Sequence, residues 1–313
     1  MADLAVREGA PRALSRRGQR PRPTGHAGTR PWLPYALLAL PAAVYGTFIV
    51  APLLSTVRVS FYEWNGLSPP RWVGLDNYRE LLGDAGFWQA LLHNGVFLAF
   101  YTVIPVALAF LLVVLLTQER AVRGLSVYRV GLFVPQVVPM VVVGVVWRWM
   151  YSPVNGVVNA LLGLVGVEPQ PWLGQASTAL PAVGVVATWV QYGFAMVLFL
   201  AGVQRIDRDL FDAAAVDGAG PWARFRHVTL PGLRGEIVVA LTVSMIAALR
   251  VFDLVFVMTR GGPANATDVV AFEIWQRAFQ LRQVGDAAAV ATVLVVLILA
   301  LSRLVLRLQP SDA

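Results

Sequence analysis

Residues 207–231 read DRDLFDAAAVDGAGPWARFRHVTLP. This stretch predicts two short helices meeting at a sharp corner. Asp207 or Asp209 can accept the free N–H groups of the first helix, and Leu210, Phe211 and the run 213–215 of alanines suit its body. Gly218 can end that helix in a left-handed conformation. Pro221 then fits the first turn of a second helix, Trp222 to about His227, and Pro231 discourages its continuation. A polar helical corner with small side chains on its surface is a shape another protein can receive in a groove, so the stretch reads as an interaction site.

On both sides of the corner the chain is apolar. Six segments are each close to the roughly 20 residues that cross a hydrocarbon core. They run Trp32 to Leu54, Asn94 to Leu116, Tyr128 to Trp147, Ala179 to Val203, Ile237 to Thr259 and Ala287 to Leu306. A shorter run, Val157 to Val167, cannot cross and reads as a short helix on the membrane surface or under a loop. Prolines 41, 52, 105, 135, 139 and 181 fall inside or at the ends of the spans, where neighbouring helices or a water-filled path can re-satisfy freed carbonyls. The expected fold is therefore an all-α membrane protein of six transmembrane helices, residues 32–313, with a long polar loop at 204–234. Residues 1–31, rich in Arg, Pro, Gly, Ser and Thr, read as a disordered basic tail.

The composition agrees. Of 313 residues, 57% are hydrophobic and 14% charged, with a mean hydropathy of +0.64, so a bilayer must supply much of the burial. All 25 basic residues are Arg, which excludes P-loop, Schiff-base and Ser/Lys chemistries that need a lysine. There is no cysteine, and the three histidines (His26, His93, His227) are scattered, so no metal site is expected. The net charge of +7 is topological rather than a nucleic-acid footprint. Seventeen Arg fall in the tail, the second-to-third and fourth-to-fifth loops and the C-terminus, against six in the opposite loops. The positive-inside rule then puts both termini in the cytoplasm.

The corner resembles the signature loop of permease subunits of binding-protein-dependent ABC importers: Glu-Ala-Ala, three residues, Gly, nine residues, Ile, one residue, Leu-Pro. This sequence supplies Asp212, Ala213 and Ala214, then Gly218, then Val228, Leu230 and Pro231 at that spacing. Asp212 replaces the usual Glu and Val228 the usual Ile. Gly74-Leu75-Asp76-Asn77-Tyr78, Phe252-Asp253 and residues 259–267 (TRGGPANAT) further resemble the sugar-uptake branch, of the maltose or glycerol-phosphate type. The resemblance covers roughly Trp32 to the C-terminus. It implies the type I ABC importer permease fold in a bacterial cytoplasmic membrane. It also implies four partners: a second, homologous permease, two ATP-binding subunits that use ATP and Mg, and an extracytoplasmic solute-binding protein. The chain itself is then no enzyme and holds no cofactor; the loop carries closure of the ATPase into permease movement.

Five residues are candidates for the substrate path. Arg250 and Asp253 stand at i and i+3 in the fifth span, where a charge is costly; they form either a structural pair or part of the path. Trp189, Gln191 and Tyr192 lie near the middle of the fourth span and offer aromatic faces and an amide to a sugar, or else helix packing and an interhelical hydrogen bond. Trp147, Arg148 and Trp149 suit interfacial anchoring. Aromatic residues of the external loop 55–93 (Trp64, Trp72, Tyr78, Phe87, Trp88) suit either a delivery protein or the interface belt. The solute can be a sugar, glycerol 3-phosphate or another small molecule; Arg148 and Arg250 keep a phosphorylated one open. The competing readings are an ion-coupled transporter, for which Asp253 is the strongest carboxylate, and a membrane enzyme, for which no clustered His, Asp or Ser is seen.

Overall fold

A computed structural model describes residues 32–118 and 125–307, with side chains omitted at 115–118 and 125–129. The basic tail 1–31, Arg120, Arg123 and the residues after Arg307 lie outside the described residues, and nothing is described of the Arg129 side chain. The chain divides into two units, Met1–Pro52 and Leu53–Ala313. The first helix, α1 (Leu33–Val59), begins in one and ends in the other.

The second unit opens with a two-residue hairpin, β1 (Tyr62–Glu63) and β2 (Arg71–Trp72), antiparallel with Tyr62 opposite Trp72. Next come α2 (Asp76–Gly83) and a long α3, made of Ala85–Leu98, a π-helical turn Ala99–Val103 and Ile104–Gln118. Then follow α4 (Leu125–Val137), α5 (Met140–Met150), α6 (Val157–Gly163) and α7 (Ala176–Val203). The corner is α8 (Arg208–Val216) and α9 (Pro221–Gly232). It leads into α10 (Arg234–Leu249), α11 (Asp253–Met258), α12 (Val270–Trp275, widened at Gln276–Gln280) and α13 (Val284–Leu306). Four helices are long and apolar enough to cross a membrane; α4 with α5, bent by 104°, and α9 with α10, bent by 70°, bring the count to six if each bent pair is one span.

The core follows from burying α7, the most enclosed candidate span: 67% of its most apolar window is buried, against 17% for α13. Its first half packs with Phe97, Val143, Leu254, Val255 and Phe272; its second half packs with Val106, Ala109, Leu233 and Ala240. Phe110 and Phe199 stack with centroids 4.3 Å apart. A further cluster joins Leu81 and Phe87 to Leu249, Val270, Val290 and Leu294.

Three expectations need correction. The third span is not continuous. It turns at Pro139, whose ring disfavours helix in the residue before it. The second helix of the corner does not end near His227 but runs on through Pro231 to Gly232. The reason recurs along the chain. The residue just before a proline reaches back five positions, Ala51 to the Gly46 carbonyl, Ile104 to Ala99 and Leu230 to Phe225, and Pro52, Pro105 and Pro231 follow at once. Proline has no N–H to give and crowds the carbonyl four residues back. A π-helical turn opens the ladder at that point without breaking the helix.

The third correction is the fifth span, which breaks after Leu249. Asn94 of α3 supports the break. Its Nδ2 donates to the carbonyls of Ala248 (3.0 Å) and Leu249 (3.3 Å), and its Oδ1 accepts from the Val270 N–H (2.9 Å). A helix end inside an apolar bundle needs such partners for its freed backbone groups, and a fully buried Asn supplies them.

Candidate functional site

The corner is built by capping chemistry. Asp207, not Asp209, is the N-cap of α8, and its Oδ1 accepts from the Asp209 N–H at 3.1 Å. At the other end Ala219 N–H bonds to the Ala214 carbonyl (2.9 Å) and Gly218 N–H to the Ala215 carbonyl (3.1 Å). That double closure requires a left-handed residue at Gly218, which has φ +75°. Ala214 and Gly218 are thus two parts of one turn. The Arg224 Nε donates to the Ala219 carbonyl at 2.8 Å and fixes α9 against the turn.

No residue of α8 is buried. Leu210 and Val216 stand exposed, as does Trp222 at the head of α9, and Asp212 forms no ion pair among the described residues. Beside them a groove of about 320 Å³ is lined by Trp222, Phe225, Arg226, Leu230, Pro231 and Arg234, among others. Val228 is half-buried on the inner side of α9. The corner is anchored through Leu233, fully buried against the second half of α7, and through an exposed Arg205 that reaches Glu236 at 3.5 Å.

The path candidates separate. Gln191 is buried and donates to Ser244 Oγ of α10 at 3.0 Å, so its amide is occupied by helix packing. Trp189 keeps 38% of its surface, Tyr192 is half-buried, and the Trp189 ring meets Trp147 edge-on at 5.5 Å. Trp147 therefore belongs to this aromatic group, while Trp149 stays exposed. Arg250 and Asp253 do not share a helix face: Arg250 ends α10 and Asp253 begins α11, both are exposed, and no ion pair joins them among the described contacts.

At the opposite ends of α7 and α10, the motifs 74–78 and 259–267 act structurally. Asn77 donates to the carbonyls of Ser60 (2.8 Å) and Tyr62 (3.1 Å), and the Tyr78 hydroxyl lies 2.6 Å from Ser60 Oγ. The hairpin so held rests on α13, where a Cβ on Gly285 would come within 1.8 Å of the Tyr62 carbonyl. In the loop 259–267, Thr267 Oγ1 closes on Gly262 O (2.8 Å) and Thr259 Oγ1 (2.7 Å).

Close by lies a charge cluster that sequence reasoning missed. Arg277, with 11% of its side chain exposed, pairs with Glu273, Asp84 and Asp286, the last at 2.6 Å. Its only sequence signal is the i, i+4 spacing of Glu273 and Arg277. Burial pushes the Asp84 carboxyl up, but the Gly86 N–H and the Arg277 guanidinium outweigh it and hold the group below its ordinary value. Burial raises the Glu273 carboxyl despite Arg277, and it pushes Asp268 up to about 6. Burial alone would lower the Arg277 guanidinium, yet its bonds to Glu273 and Asp286 hold it above the usual arginine range.

Residues 95–311, which take in the corner, the path candidates and Arg277, match the family described as binding-protein-dependent transport system inner membrane component. The chain belongs to this family. Among its relatives in that permease family is the diacetylchitobiose uptake system permease protein NgcF of Streptomyces coelicolor, 34% identical over 97% of this chain and 89% of the relative. Another is the trehalose/maltose transport system permease protein MalF of Thermococcus litoralis, 34% identical over 84% of this chain and 89% of that one. The permease fold itself is matched by a chain of a solved bacterial ABC transporter that imports alginate, with TM-score 0.76 and 23% identity, covering 89% of this chain and 96% of that one.

Proposed function

We propose that this chain is one of two permease subunits forming the translocation path of an ATP-driven sugar importer, and that the corner 207–231 is its contact with the ATP-hydrolysing subunits. Relatives named for disaccharide-type sugars align over most of both chains, which supports a sugar as the solute. The observation that carries the coupling role is the corner itself. It is closed by its own backbone hydrogen bonds, exposed and apolar at its tip, and rooted in the bundle through Leu233. A lever needs that combination: a partner must grip its outer surface, and its root must pass displacement to α7 and α10.

In this reading both termini and the corner, α9 included, face the cytoplasm, the bent pair α4–α5 counts as one span, α10 starts another at the foot of the corner, and the hairpin, α2 and α12 face outward. An extracytoplasmic binding protein delivers the sugar to that outer end. ATP binds one global state more tightly than the other, and that differential affinity drives the alternation of access. Trp189, Tyr192 and Trp147 offer aromatic faces to the sugar, and Arg250 and Asp253 flank the break in the fifth span. The permease contributes path and lever, with ATP and Mg held by its partners.

The test is to purify the chain with its second permease and ATPase and to measure ATP hydrolysis with and without sugar-loaded binding protein. Stimulated hydrolysis is expected. Gly218→Pro, which cannot adopt φ +75°, is expected to abolish stimulation and transport while the protein still inserts. Normal transport by that variant defeats the lever role.

A further inference from the structure

One buried side chain closes a long excursion of the backbone at both its ends. The chain leaves α10 at Leu249 and enters α12 at Val270; residues 250–269 between them hold Arg250, Asp253, all of α11 and the loop 259–267. Asn94 of α3 bonds at both points. Its Nδ2 donates to the Ala248 and Leu249 carbonyls, and its Oδ1 accepts from the Val270 N–H. Both N–H groups of the amide are thereby spent on the end of one helix, and its oxygen on the start of another.

These bonds fix what packing leaves loose. Leu249 and Val270 also share an apolar cluster, but burial of apolar surface has no preferred direction, whereas a hydrogen bond sets distance and angle. The Leu249 carbonyl belongs to the same planar peptide unit as the Arg250 N–H, which donates to the Ile246 carbonyl at 3.1 Å. That unit is held from both edges, so Arg250 leaves α10 in one direction. At the far end the N-cap residue Val269 gives α12 no side-chain cap, and Asn94 supplies from α3 what a local cap would. His93, next to it on α3, adds a second tie: its Nδ1 donates to the Asp268 carbonyl at 2.7 Å, since a carbonyl only accepts.

We infer that Asn94 is a positioning residue of the transport cycle, holding Arg250 and Asp253 in register with both the end of α10 and the start of α12 so that the three move together. The inference rests on the importer reading above, which puts α12 at the delivery end and the corner at the ATPase end. Displacement in a protein travels through hydrogen bonds, packed side chains and rigid elements. A loaded binding protein acting on the outward segment meets, across one amide, the end of the helix whose other end is capped by Leu233 at the root of the corner.

The test uses the complete complex in lipid nanodiscs with the binding protein whose loaded form stimulates its ATPase, and reads the ratio of stimulated to unstimulated hydrolysis. That ratio does not depend on how much of the complex folds. Asn94→Leu keeps nearly the size of the side chain and removes every one of its hydrogen bonds. Val270→Pro removes only the N–H: proline suits the first position of a helix, and Val269 before it is already extended, with φ −134° and ψ 156°. Stimulation is expected to be lost in Asn94→Leu and cut about 2- to 10-fold in Val270→Pro, the equilibrium factor for one hydrogen bond. A wild-type ratio in both variants, even with a lowered melting temperature, overturns the inference and leaves the importer reading intact, because a merely structural cap changes stability alone. If Asn94→Leu does not assemble, the ratio in Val270→Pro decides by the same criterion. Absence of stimulation in the wild-type complex removes the importer reading and this inference with it.

Discussion

The two ends of the bundle handle exposed chemistry in opposite ways. At the corner, α8 and α9 leave Leu210, Val216 and Trp222 in solvent and take their shape from backbone hydrogen bonds and a left-handed glycine. At the other end, Arg277 gathers two carboxylates from nearby in sequence, Glu273 and Asp286, and one from far away, Asp84, and shape there depends on charge held out of water. A shape made of backbone geometry tolerates changes of side chain but not of torsion. One made of buried charge tolerates changes of torsion but not of partner.

The sharpest way to break that comparison is Arg277→Ala. It leaves Glu273 and Asp286 uncompensated in a poorly solvated site, and breaking a buried pair in this way costs about 3–5 kcal/mol. A large fall in melting temperature of the detergent-purified protein is expected; an unchanged melting temperature would show that the cluster is decorative. Gly218→Ala comes next. No atom lies within 4 Å of the added Cβ, so the whole effect is the cost of a left-handed L-residue, about 1–2 kcal/mol. Coupled ATPase activity is expected to fall roughly 5- to 30-fold, the equilibrium factor equivalent to that energy, with the melting temperature of the bundle unchanged. Gly218→Asn, more tolerant of that torsion, should recover most of the activity.

The smallest effect is one of pH. Asp268 titrates near 6 in the folded protein, above its ordinary value of 3.8, so folding takes up a proton between those values. Its ionised form is the disfavoured one. This group therefore makes the protein less stable as pH rises through about 6, and more stable as pH falls toward 4. The groups facing it are Arg277, which opposes the shift, and the Glu273 carboxylate. Melting curves from pH 7 to 5 should rise slightly less in Asp268→Asn than in wild type; identical slopes would contradict the assignment.

Local chemistry was the legible part of this molecule. The N-cap, the left-handed glycine and the apolar spans are each determined by residues a few positions apart, so Gly218 and the helix α7 could be read directly and the cap narrowed to Asp207 or Asp209. The break after Leu249 could not, because the residue that satisfies its freed carbonyls, Asn94, is 154 positions from one of them. Arg250 and Asp253 looked like neighbours on a helix for the same reason: nothing nearby in sequence says that the ladder opens between them. The Arg277 cluster was hidden likewise, since Asp84 stands 193 positions away. Of the path candidates, residue type was readable and direction was not; Gln191 turned toward Ser244 rather than into open space.

The wide turns ahead of Pro52, Pro105 and Pro231 have a consequence for anyone editing these helices. Each behaves as a one-residue insertion, and one residue is worth about 100° of rotation in an α-helix. Proline and extra residue therefore form a matched set. Replacing Pro105 with alanine while keeping the chain length gives the helix a choice: retain a bulge it no longer needs, or swing every side chain beyond it, Ala109 and Val113 included, off the α7 face. A chimera joined across such a site would be out of phase unless it takes both parts or neither, and the same slip would masquerade as a gap when two relatives are aligned.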